Sequence, residues 1–208
     1  MLDVHPPEHG IHGVRDFFLH LLTITAGLLI AIALEQSVEA LHHHHQREQA
    51  EAIIRQELRE NRADVLTLQG HLHDEIKDLV AVLVYIDGRE QHTRPDSSKL
   101  KFGFTEGPLR DAAWRTTTAT GVAAYMEYAT TEKFAECYKE QEQFELVEEH
   151  ALEAYLNLES FVAIKKPDDL SDDDIRAAKP LVRQALADIG ALRDVGTGVL
   201  HVYDEALK

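Results

Sequence analysis

A stretch without charge comes first in the pattern of apolar and polar positions. From Phe17 to Leu34 the chain reads FFLHLLTITAGLLIAIAL, 18 residues with no formally charged group. At a rise of ~1.5 Å per residue a helix of this length covers about 27 Å, close to the ~30 Å hydrocarbon core of a bilayer. Soluble helices of such length carry a polar face, and this one has none. Residues 17–40 are therefore predicted to form a single transmembrane anchor behind a short tail, 1–16. Past the anchor the period changes. Leu58, Val65, Leu72, Leu79 and Ile86 recur every seven residues, with Ile54, Leu68, Ile76, Val82 and Leu83 on adjoining positions. That is the seam a helical bundle or coiled coil buries. No proline falls between positions 8 and 94, so the anchor is expected to continue into a long helix over 41–87. Its charges, Arg55, Glu57, Arg59, Glu60 and Arg62 among them, are expected mainly on the wet side.

Residues 88–107 (GREQHTRPDSSKLKFGFTEG) concentrate Gly, Pro, Ser and charge and read as a loop. A loop this long is often functional or mobile. Pro108 suits the first turn of a new helix that carries Asp111, Ala112, Ala113 and Trp114 toward Gly121. A second long helix, about 130–163, places Phe134, Cys137, Phe144, Val147, Ala151, Ala154, Leu158 and Phe161 on one stripe. Ser171 and Asp174 form a capping-box-like start to a last helix, in which Pro180 predicts a kink or a split. No segment reads as a strand. The fold class is accordingly all-α: one N-terminal transmembrane helix continuing into a long helix, packed with an antiparallel helical bundle whose remaining helices occupy 108–208.

Composition narrows the partners. The chain has 208 residues, 37 acidic against 21 basic, and a formal charge of −16, which argues against nucleic acid through long-range repulsion of phosphates. One cysteine, Cys137, excludes an intramolecular disulfide and a Cys-based metal centre within one chain. It falls on the buried stripe and reads as core. Within the anchor, Thr23, Gly27 and Ala31 recur every four residues and stack on one face, the small-residue pattern that lets helices approach closely in lipid. His20, one turn in, fits interfacial placement. Basic residues barely orient the span, because Arg15 precedes it and Arg47 is the first to follow. The simpler uncleaved signal-anchor topology puts the C-terminal domain outside the cytoplasm.

Two stretches carry a resemblance. GLLIAIALEQSVEA followed by RQELRENRADV, with its E-L-x-E-N pattern at Glu57 to Asn61, is similar to an uncharacterised family of bacterial single-pass membrane proteins. The segment from Asp111 through Ala112, Ala113 and Trp114 to Gly121 resembles the Ala-Trp…Gly stretch that follows the loop in those proteins. Together the two cover roughly a third of the chain. The resemblance implies architecture and a bacterial inner-membrane location, and it supplies no catalytic residues.

The conspicuous polar cluster is His42 to His45. Glu39 precedes His42 by three residues, the E-x-x-H spacing of carboxylate-bridged metal bundles, so Glu39, His42 and His45 are weak metal candidates. A second E-x-x-H, which such a site needs, does not occur, and a solvated headgroup-level stretch accounts for the cluster more simply. His150 with Glu153 offers only the reversed spacing. Thr116, Thr117, Thr118 and Thr120 beside Trp114 suggest a small pocket, or Trp114 is a helix-end packing anchor. Phosphate-cradling Gly-rich loops, G-x-S-x-G and H-E-x-x-H are absent. The expectation is a non-enzymatic structural or accessory subunit without a cofactor, whose partners are the membrane and other membrane-protein subunits or a second copy. The alternative is an extracytoplasmic sensory or small-ligand-binding module with the 88–107 loop as its lid.

Overall fold

The computed structural model describes residues 13–162 and 165–208. Four α-helices and two short 3₁₀ turns make up the described chain, and no strand occurs among those residues. They are α1 (Val14–Glu90), α2 (Ala112–Ala119), α3 (Tyr128–Val162) and α4 (Asp172–Ala206), with 3₁₀ turns at Val122–Tyr125 and Pro167–Asp169. The chain divides into two compact units, Met1–Glu48 and Gln49–Lys208. In the first, the described part of α1 is apolar and exposed throughout Phe17–Leu34. It is long and apolar enough to cross a membrane, and none of its apolar window is buried.

The second unit is a bundle. The seven-residue series Leu58, Val65, Leu72, Leu79 and Ile86 is buried along its whole length, as its period requires. Pairs along α1 and α3 ascend together: Arg55 lies over the Phe134 ring, Glu57 meets Tyr138, and Asn61 meets Gln141. These two helices therefore run in the same direction. α4 runs against both, with Arg62 paired to Asp204, Gln69 to Arg193 and Lys179 to Glu90. The parallel pair is possible because residues 91–111 travel back along the bundle instead of looping out. Leu100, Phe102, Phe104 and Leu109 pack on the core from this strap, and Phe104 stacks on Tyr155 at 5.6 Å.

Several local expectations change. Pro108 does not open a helix, because the strap continues to Asp111 and α2 begins at Ala112. Pro180 lies inside an unsplit α4. It is exposed, as is Arg176, whose carbonyl loses its helical partner. Buried Ala178 and Val182 on either side hold the helix to the core and override the local cost. The Ser171 cap forms as expected: Asp174 N donates to Ser171 Oγ at 3.2 Å, and Ser171 N donates to Asp174 Oδ2 at 2.9 Å. With Lys165 donating to the same carboxylate at 2.7 Å, the Asp174 carboxyl is held down at about 2. The far end of the bundle is clamped by Arg89, which donates to the carbonyls of Pro167 and Leu170.

Candidate functional site

In the first unit the hydroxyls of the apolar segment are satisfied within the helix. Thr23, Thr25 and Ser37 donate to the carbonyls of Leu19, Leu21 and Ala33 at 2.9, 2.8 and 2.7 Å. The polar atoms of these side chains therefore need no water, the condition for a helix in hydrocarbon. Thr23, Gly27 and Ala31 are exposed, and a methyl group at Gly27 would meet nothing within 4 Å. Glu39, His42 and His45 are also exposed. His44, not a candidate, lies 3.2 Å from the Glu48 carboxylate. Among the described residues no three His, Cys, Asp or Glu side chains are grouped to hold a metal. His150 and Glu153 face Gln184 and Asp188 across an open cleft of ≈ 280 Å³ between α3 and α4.

In the second unit the RQELRENRADV stretch of α1 meets the segment from Asp111 to Gly121. Glu57 was expected on the wet side and is instead buried. Its carboxylate accepts from Ala113 N at 3.0 Å and from the Tyr138 hydroxyl at 2.7 Å. It thereby takes up a backbone donor in the first turn of α2, a place where helices leave N–H groups unpaired. One turn on, Asn61 is fully buried. It accepts from Arg110 N at 2.9 Å and donates to Arg110 O at 2.7 Å and Gln141 Oε1 at 3.1 Å. Tyr203 of α4 closes the network by donating to Gln141 Oε1 at 2.8 Å. Trp114 stacks flat on Tyr138, 7° and 5.5 Å apart, so it is a packing anchor. Thr118 and Thr120 spend their hydroxyls on carbonyls of their own helix. This closed array ties α1, the strap, α2, α3 and α4 into one register, with Glu57, Asn61, Gln141, Tyr138 and Tyr203 bonded to one another or to the backbone of Arg110 and Ala113.

Two further carboxylates face the strap. Glu148 accepts from Gly107 N at 2.7 Å, and burial still pushes its carboxyl upward. Glu75 is 8% exposed with Oε2 unpartnered; burial raises it, opposed by Thr105 of the strap and by His71. A raised carboxyl binds its proton more readily folded than unfolded, so this contribution falls as pH climbs from the ordinary carboxylate value through the folded one. Glu75→Gln is accordingly expected to stabilise the bundle by about 1–2 kcal/mol at pH 8, with the gain fading toward pH 4. Urea unfolding at the two pH values measures it, and equal stabilities at pH 8 would refute it.

Cys137 is fully buried and its thiol is pushed up to about 12 by desolvation, which leaves no thiolate for chemistry near neutrality. The apolar void among Val82, Phe102, Leu158 and Val182 is ≈ 20 Å³, room for about one water molecule. The 88–107 loop expected as a lid lies in part against the core: its Leu100, Phe102 and Phe104 are half-buried there. No family model, curated protein or solved structure matches the chain, so its own residues carry the functional reading.

Proposed function

We propose that the protein is a membrane-anchored, non-enzymatic structural or accessory subunit of a larger bacterial membrane assembly, with its acidic bundle outside the cytoplasm. The observation that carries the reading is the uncharged segment Phe17–Leu34, exposed along its length and with its threonine hydroxyls bonded to its own backbone. Such a surface costs about 25 cal/mol per Å² of apolar area in water, and lipid removes that cost. The bundle supports a scaffolding role because its buried polar groups are committed to register. The test is fractionation of the full chain. The wild type is expected in the membrane pellet after an alkaline wash, and Leu28→Arg/Leu29→Arg in the soluble fraction. Wild type found soluble overturns the anchor. In mild detergent the anchored chain is expected to co-purify with other subunits or copies of itself, and an isolated monomer overturns the accessory role.

A further inference from the structure

We propose that the tip of the bundle formed by the α2–α3 turn is a lipid-contacting surface that seats the acidic domain on the headgroup layer. This rests on the anchor reading above. The turn and its flanks, residues 116–131 (TTTATGVAAYMEYATT), contain one charged residue, Glu127, in a chain that is 28% charged. Within it Tyr128 is 82% exposed and Tyr125 42%, two large rings that both reach the surface. They are held there by a built turn. Gly121 takes φ 76°, the left-handed conformation that admits glycine at no steric cost. Ala124 N then donates to Gly121 O and Met126 N to Ala123 O, while Met126 is buried as the turn's anchor. Thr118, Thr120 and Thr131 donate to backbone carbonyls three or four residues back, so three of the hydroxyls in this stretch are bonded within it.

The position within the bundle is as informative as the composition. α1 and α3 are parallel, with Arg55 level with Phe134. Gln49 precedes Arg55 by six residues and Tyr128 precedes Phe134 by six, so the exposed tyrosines lie at the end where the chain enters the bundle. Seven residues, 42–48, lie between Leu41, the last large exposed apolar residue before the bundle, and Gln49. A domain of net negative charge joined by so few residues to a lipid-seated helix is repelled by lipid phosphates except through an uncharged face, and tyrosine is the residue that suits the boundary between water and acyl chains.

The test uses the full chain with single nitroxide labels in phosphatidylcholine/phosphatidylglycerol vesicles. Tyr128→Cys and Tyr125→Cys are labelled beside the buried Cys137, with wild type taken through the same labelling as the control for that thiol; Leu28→Cys marks the anchor and Leu156→Cys, exposed on α3, marks water. At both tip positions, relaxation by a water-soluble nickel chelate is expected to fall below the Leu156 value and relaxation by oxygen to rise above it. A tip as accessible to nickel as Leu156, with Leu28 in lipid, overturns the tip while leaving the anchor. A tip shielded from both relaxers is covered by protein and also overturns it. A label at Leu28 open to nickel overturns the anchor reading itself.

Discussion

Asn61→Leu is expected to destabilise the bundle by about 3 kcal/mol, although leucine keeps the branching and heavy-atom count of asparagine. The loss comes from the partners left behind. Arg110 N loses the oxygen it bonds at 2.9 Å, and Arg110 O and Gln141 Oε1 lose a donor. An orphaned buried N–H costs about 1–3 kcal/mol, and each net hydrogen bond lost about 1 kcal/mol more. Arg110 O keeps Gln141 Nε2, and Gln141 Oε1 keeps the Tyr203 hydroxyl, which limits the damage. Asn61→Asp is expected to be worse at pH 8. It retains an acceptor for Arg110 N but turns a carboxylate oxygen toward two other oxygens, one turn from buried Glu57. Protonation restores a donor, so part of the loss is regained as pH falls to 5. Urea melts of the full chain in detergent, followed by circular dichroism at both pH values, measure both variants. Leucine as stable as asparagine would show that the network contributes nothing.

The same position shows how far the fold was legible. Hydrophobic period alone located the seam of α1, because burial selects apolar residues and leaves a seven-residue trace. The companion series, Ile54, Asn61, Leu68, Glu75 and Val82, carries the same trace with two polar residues set into it. Both of these are buried, so the heptad itself was the signal that could have marked Asn61 and Glu75. Glu57 lies beside the seam in a helix rich in Glu and Arg, and nothing local separates it from its solvated neighbours. Its partners, Ala113 and Tyr138, are 56 and 81 residues away. The strap was hidden for a related reason. Gly, Pro and charge mark residues 88–107 as irregular, but Phe102 and Phe104 find their groove only once α1 and α3 are parallel. The long apolar helix is the opposite case, since 18 uncharged residues need no distant partner to be read as one.

Gly196→Val is expected to cost about 3 kcal/mol, at the upper end of the usual range for overpacking. Valine is ordinarily a modest change in a helix, and by propensity alone it would be favourable over glycine. Here the site is filled from two sides. A Cβ on residue 196 would stand 3.2 Å from Phe144 Cε2 and collide with the Gln69 side-chain amide. That amide is not idle, because Gln69 Nε2 donates to Arg193 O at 2.8 Å across the α1–α4 contact. The two obstacles differ in what they can give. Gln69 is the flexible end of a surface side chain, whereas Phe144 is fully buried and has nowhere to go. Gly196→Ala should therefore be rescued substantially by Gln69→Ala, the double variant being more stable than the sum of the single losses predicts, and Gly196→Val should not. A double-mutant cycle in urea distinguishes them: strictly additive losses for the Ala pair would mean that Gln69 yields freely, and that glycine at 196 is not there to let α4 close on α1.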